Sequence, residues 1–235
     1  LRAAAAFAED FGEPDRASAF REGADRMALA LSRYMWDPSK QRFARMAVPL
    51  PNGQYRLDMT ADSANYALFA FGALDVHDPK VEAEMTYLRK RLWCRTPVGG
   101  CARYERDYYH QVEHDNTDAV PGNPWVICTL WQAQYAIAKA RSEAELKDAV
   151  ELMNWTVSRA EASGVLAEQY HPYTGDPISV SPLTWSHATF VMVVMEYLRK
   201  VSELRRAAAI AASGGSGNLE AADAVMYEAF DSQAG

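Results

Sequence analysis

Apolar residues recur along most of this chain at intervals of three and four, the spacing of a helix with one face turned inward. Ala17, Phe20, Ala24, Met27 and Leu31 form one such stripe behind Pro14, a favourable first helical residue. Val81, Met85, Leu88 and Leu92 form a second after Asp78-Pro79. Leu146, Ala149, Val150, Met153 and Val157 form a third behind Ser142-Glu143-Ala144-Glu145, which has the form of a capping box. Further helices are predicted over 1–11, closed by Gly12, over 60–74, from Asn123-Pro124 to Ala140, and from Ser181-Pro182 through Val191, Val194, Met195, Leu198 and Val201. The pattern breaks over 41–57, where 42–45 and 54–57 flank Pro51-Asn52-Gly53 and predict a small β-hairpin. Ser213-Gly214-Gly215-Ser216-Gly217 reads as a flexible linker before a short terminal helix. The sum is an all-α chain of about seven helices with one hairpin and no solenoid period.

Two connections exceed the usual length of helix–helix loops, 95–122 and 163–180. Each runs into a helix start marked by a cap residue and a proline, Asn123-Pro124 and Ser181-Pro182. Helix starts present free N–H groups and partial positive charge, which suits a hydroxyl-rich or anionic ligand. Composition narrows the classes. Of 235 residues, 49% are apolar and 11% aromatic, too many for a disordered chain. No window reaches the roughly 18 uncharged apolar residues of a membrane span. A net charge of −7 argues against a nucleic-acid partner. His77, His110, His114, His171 and His187 have no i, i+4 pairing, so no metal site is expected. Cys94 and Cys101 flank a Pro/Gly loop and could pair if oxidised, and Cys128 sits in an apolar run. Three thiols make neither a disulfide framework nor a zinc spacing, and reduced structural cysteines are the preferred reading. The chain opens Leu1-Arg2-Ala3-Ala4, in what reads as the middle of a helix, so a fragment is expected. Its compartment is left unassigned, with the cytoplasm preferred.

The first long loop carries Arg103-Tyr104-Glu105-Arg106-Asp107-Tyr108-Tyr109 and ends Gly122-Asn123-Pro124-Trp125. Arginine forks bind vicinal hydroxyls, and flat rings pack on the C–H face of a sugar. The same residues also read as a solvated charged loop with its tyrosines tucked onto helix ends. In the second loop, Glu168 follows the apolar run Val165-Leu166-Ala167. A carboxylate leaving a core is partly desolvated, which raises its pKa and makes it a candidate proton acceptor. A surface glutamate or an ion-pair partner is the alternative.

Four strings in order carry a resemblance: Arg103-Tyr104-Glu105-Arg106-Asp107, Gly122-Asn123-Pro124-Trp125, Ala167-Glu168-Gln169, and Ile178-Ser179 with Leu183-Thr184-Trp185-Ser186-His187-Ala188. Together they resemble the glucoamylase family, the family 15 glycoside hydrolases, over most of residues 1–205. The resemblance implies an (α/α)6 barrel, here its C-terminal part in 1–205 with a linker and tail in 206–235. It implies inverting, exo-acting hydrolysis of α-glucosidic bonds at non-reducing ends, which needs two carboxyl groups roughly 6.5–9.5 Å apart. Glu168 matches the general base and Ser179 the hydroxyl that orients it. Arg103 matches a residue binding sugar hydroxyls. Trp125 and Trp185 match aromatics near the pocket, with helix-start packing as the alternative for both. Tyr104, Glu105 and Asp107 receive supporting or outer-subsite roles. The general acid, a Glu following a Trp, has no counterpart and in the family's order falls shortly before Leu1. The expected partners are an α-glucan, a malto-oligosaccharide or a disaccharide, together with the N-terminal half of the same barrel. No cofactor, nucleic acid or membrane is expected. An α,α-trehalase of the same family and a non-catalytic carbohydrate-binding or scaffold protein are the alternatives. An unrelated helical interaction domain predicts instead that Glu168, Ser179 and Arg103 are scattered.

Overall fold

The structure, a computed structural model, describes residues 1–212. It is mostly helical. α1 (Arg2–Asp10) and α2 (Pro14–Ala30) form a helical hairpin whose turn places Gly12 at φ +71°, a left-handed conformation that glycine adopts without strain. Ala5, Ala8 and Ala17 are the buried residues of this pair. α2 then widens into a π-helical turn, Leu31–Met35. β1 (Trp36–Asp37) pairs with β2 (Arg42–Phe43), and β3 (Met46–Pro49) pairs with β4 (Tyr55–Asp58). The predicted hairpin is therefore displaced along its first strand. Arg42 and Phe43 leave it because both are buried against the helix over 79–92. There the carboxylate of Glu84 accepts from the Phe43 amide at 2.8 Å and from the Arg42 guanidinium at 3.4 Å.

The helix expected over 60–74 is shorter, a 3-10 turn (Ser63–Tyr66) leading into α3 (Ala67–Ala70). Gly72, at φ +68°, ends it by turning the chain so that the Leu74 amide bonds back to Leu68. α4 (Pro79–Leu92) follows its prediction closely. Asp78 caps it by accepting from the Lys80 amide at 2.8 Å, Arg89, Lys90 and Arg91 face the negative end of its dipole, and Val81, Met85, Leu88 and Leu92 are buried.

α5 (Val126–Lys139) begins at its cap Trp125, two residues after the expected Asn123. Pro124 is extended instead, bridging Ala102 and accepting from the Tyr170 amide at 3.0 Å. The capping box at 142–145 is only half made. Ser142 makes no side-chain cap bond, the chain takes a 3-10 turn over Glu143–Leu146, and Glu145 accepts from the Arg141 amide at 2.8 Å. α6 (Lys147–Val157) follows. The second long loop contains β5 (Gln169–Tyr170) paired with β6 (Pro177–Ile178). α7 (Thr184–Ala212) starts after Ser181-Pro182, because the Ser181 hydroxyl donates to Glu161 at 3.0 Å instead of capping the helix. The boundary expected at 205/206 falls inside α7, and the linker and terminal helix expected after it lie outside the described residues.

α5 is the hub. One core cluster joins it to α6, α7 and the run Leu166-Ala167, a second to α4, Phe43 and Leu68, and a third gathers Cys101, Trp125, Ile127, Cys128 and Trp131. Cys94, Cys101 and Cys128 are free and buried, and burial pushes the Cys101 thiol up to about 12. Among the described residues no cluster of His, Cys, Asp or Glu could hold a metal ion, and no helix is long and apolar enough to cross a membrane.

Candidate active site

Glu168 is held by its backbone before its side chain is considered. Its amide donates to Val180 at 2.9 Å, and its carbonyl accepts from the Val126 amide, one of the free N–H groups at the start of α5, at 3.2 Å. The two residues before it are buried and tied to the first turn of α7. The Leu183 amide donates to the Leu166 carbonyl at 3.0 Å, the Ser186 hydroxyl to the Ala167 carbonyl at 2.8 Å, and the Leu166 amide to Nε2 of His187 at 3.0 Å. The half-buried carboxylate thus leaves a dry, anchored run at the junction of α5 and α7.

Ser179 meets it from the returning strand. Its backbone lies in the left-handed region, φ +67°, a conformation costing a serine about 1–2 kcal/mol. Its hydroxyl donates to Oε2 of Glu168 at 2.5 Å, and a hydrogen bond to a charged group contributes about 1.5–3 kcal/mol, enough to offset the strain. Gln169 Nε2 lies 3.4 Å from the same oxygen. Among the described residues, both donors fall on Oε2, which leaves Oε1 for a ligand or water.

The first loop closes this corner. The Tyr109 hydroxyl lies 3.4 Å from Ser179 Oγ, and its ring packs against Trp125 at 6.0 Å. The Arg103 guanidinium sits over Trp125 at 4.5 Å, Tyr104 at 4.9 Å and Tyr109 at 5.4 Å. Asp107, 1% exposed, grips it as a fork, accepting from Nε at 2.8 Å and Nη2 at 2.7 Å. Burial alone lowers the pKa of Arg103, but its bonds to Asp107 outweigh that and hold the guanidinium above its usual value. Two of its five N–H donors are spent on Asp107, and the half-exposed remainder is available to a ligand. Glu168, Ser179 and Arg103 therefore share one corner, joined through Tyr109 and Trp125.

The remaining predicted residues are placed differently. Trp125 is 3% exposed, its face covered by Arg103 and Tyr109, so it backs the wall rather than lining it. Trp185 is 54% exposed and leans on Trp131 at 6.0 Å, which stacks on Tyr66 at 4.1 Å. Tyr104 lies between Arg103 and Arg45. Glu105 turns toward the scaffold, accepting from the Ala61 amide at 2.8 Å and from Arg91 Nε at 2.5 Å. Reasoning from sequence missed Tyr109, Gln169 and Asn123 as individual residues, although each stands in or beside a quoted string. It also missed Asp62, half-buried beside Arg45, whose carboxyl burial pushes up. The two long loops meet again at the rim, where Thr96 Oγ1 donates to the Pro172 carbonyl at 2.5 Å and the Tyr173 hydroxyl donates to Glu113. That phenol, with the Asn116 and Asp115 amides, holds the Glu113 carboxyl at about 2. The arrangement can accept a proton at one oriented carboxylate oxygen and bind hydroxyls beside it.

The family model of glycosyl hydrolases family 15 matches residues 1–195. An uncharacterized glycosyl hydrolase of Methanocaldococcus jannaschii is 31% identical over 167 residues, which cover 67% of this chain and 24% of that protein. A bacterial glucoamylase complexed with acarbose superposes with a TM-score of 0.67 at 22% identity, over 83% of this chain and 31% of its own. The family 15 glucoamylase of Hypocrea jecorina does so with a TM-score of 0.61 at 16% identity, over 83% and 40%. At these identities the likeness is one of fold, that of the glucoamylase (α/α)6 barrel. The chain spans well under half the length of each of these relatives.

Proposed function

The chain belongs to family 15 of the glycosyl hydrolases, and on that premise we propose that it carries the general-base side of an inverting, exo-acting α-glucosidase site. Glu168 takes a proton through Oε1 from the water that attacks the anomeric carbon. Ser179 and Gln169 hold Oε2, so the acceptor oxygen keeps its direction. Arg103 donates to hydroxyls of the terminal glucosyl residue, and Trp185 offers an exposed ring at the start of α7. A carboxylic acid outside residues 1–235 protonates the glycosidic oxygen as the C–O bond breaks. Inversion requires it roughly 6.5–9.5 Å from Glu168, leaving room for the water. The remainder of the barrel, also outside these residues, covers the exposed apolar face of α7. The substrate is a neutral malto-oligosaccharide or α-glucan.

The observation that carries this reading is the Ser179–Glu168 contact at 2.5 Å beside a guanidinium and an aromatic wall. A non-catalytic sugar-binding protein could use the same open oxygen to accept from a sugar hydroxyl, and hydrolysis lost in Glu168→Gln is what separates the two. The test is glucose release by the full-length protein from maltose, maltotriose, isomaltose and trehalose, with detection of the anomer first formed. Glu168→Gln keeps the shape but accepts no proton, and the rate falls by about 10²–10⁴. Activity near wild type removes Glu168 from the mechanism. The α-anomer as first product from an α-glucoside contradicts inversion, and hydrolysis of trehalose alone assigns the protein to the trehalase reading.

A further inference from the structure

We infer that Asn123 is a positioning residue for the general base, acting through Gln169; the inference rests on the reading of Glu168 given above. Asn123 is 1% exposed, and its amide makes three hydrogen bonds across the two loops. Oδ1 accepts from the Val112 amide at 3.3 Å, and Nδ2 donates to the His110 carbonyl at 2.7 Å and to Gln169 Oε1 at 2.9 Å. A backbone N–H can only donate and a carbonyl can only accept, so these neighbours fix which end of the Asn123 amide is oxygen and which is nitrogen. The choice propagates. With Nδ2 facing it, Gln169 must present Oε1 to Asn123 and Nε2 to Glu168. Gln169 is fully buried and has no solvent with which to satisfy the opposite orientation. Reversed, it turns a carbonyl oxygen onto the carboxylate.

The same turn supports the other donor. Tyr109 precedes His110, itself at φ +54°, and its hydroxyl reaches Ser179. The segment 109–112 therefore backs both groups that bond Oε2, one through Ser179 and one through Asn123 and Gln169. This makes the end of the first long loop, which touches no reacting atom at Asn123, a determinant of the base's orientation and basicity. The charged and titratable groups around this corner are Arg103, Asp107, Tyr104, Tyr109 and His110 from the first loop, Tyr170 on β5 and His187 at the start of α7. Substitution at Asn123 removes none of them.

The test measures the pH dependence of kcat and kcat/KM in the full-length protein, with thermal unfolding as the check on fold. Weaker donation to the ionised base raises its pKa, so in Asn123→Asp the acid limb moves up by about one pH unit. kcat falls by about tenfold and KM changes less than twofold, the split expected of a group that orients rather than binds. Asn123→Ala, which adds no charge, moves the limb in the same direction by less. In a Gln169→Leu background Asn123→Ala, which brings no charge of its own, produces no further shift, because the route is gone. A folded Asn123 variant with the wild-type acid limb overturns the inference. So does a further shift in the Gln169→Leu background, and so does loss of the fold in both single variants, which makes Asn123 structural only. Glu168→Gln in parallel separates the two ideas. Near-wild-type activity there sinks the base reading, whereas an inactive Glu168→Gln beside an unshifted Asn123→Asp sinks the role of Asn123 alone.

Discussion

α5 and α7 are both rich in apolar residues, yet eleven of the fourteen residues of α5 are buried and only three of the twenty-nine of α7. α5 is enclosed by α4, α6, α7 and the 63–66 turn, and all three core clusters include it. α7 packs one side on α5 and α6, and beyond its first turn leaves Val191, Met192, Met195 and Leu198 on an exposed stripe. The contrast shows what a hydrophobic pattern specifies. It says that a face is to be covered, and it does not say by what. An apolar stripe of this length is more than scattered surface residues, and it fits the proposal that the rest of the barrel seals it. The candidate site lies where the two helices begin, beside the enclosed start of one and the open start of the other.

Truncating one residue on each helix has the largest expected effects. Leu130→Ala on α5 costs about 2–5 kcal/mol by urea denaturation, because a fully enclosed site cannot collapse. Met195→Ala on α7 costs under about 0.5 kcal/mol in residues 1–235 alone and about 2 kcal/mol or more in the full-length protein. Equal small costs in both contexts leave the α7 stripe uncovered and refute the sealing proposal. A smaller effect tests the tie between α7 and Glu168. Ser186→Ala removes the donor to the Ala167 carbonyl and costs about 1 kcal/mol, and faster amide hydrogen exchange over 166–169 than elsewhere is the accompanying sign. No change in exchange there means that α7 does not anchor Glu168.

The smallest effect belongs to the periphery, on β4. The hydroxyl and amide of Thr60, and then Arg45, hold the Asp58 carboxyl at about 2, below its ordinary 3.8. A lowered folded-state pKa gives stability that is complete above the unfolded value and lost as pH falls through the folded one. Wild type therefore loses stability between about pH 4 and pH 2 from this group, and Asp58→Asn flattens that part of the curve. An unchanged slope in denaturation between those values removes Asp58 as its source.

Legibility in the sequence follows the range of the interaction. The α4 stripe, its Asp78 cap and the Gly12 turn were readable because each is decided within one turn of chain. The displaced hairpin, the half-made box at 142–145 and the late start of α7 were not, because Glu84, Arg141 and Glu161 claim groups that local rules assign elsewhere. At the site, the strings around Glu168, Ser179 and Arg103 were legible as chemistry. That Glu105 turns to Arg91 and Trp125 goes under Arg103 was not, since a motif records which residues are present and not which way they face.

The helical class, the family resemblance and the two loops that carry the candidate site follow from the order of residues alone, since periodicity and short motifs are properties of neighbouring residues. Folding alone brings Asn123 and Gln169 together across 46 positions, with an amide aimed at Glu168. It also decides that α5 is enclosed while α7 stands open. Both depend on which distant surfaces come together, because burial and hydrogen-bond orientation are settled by contact in space.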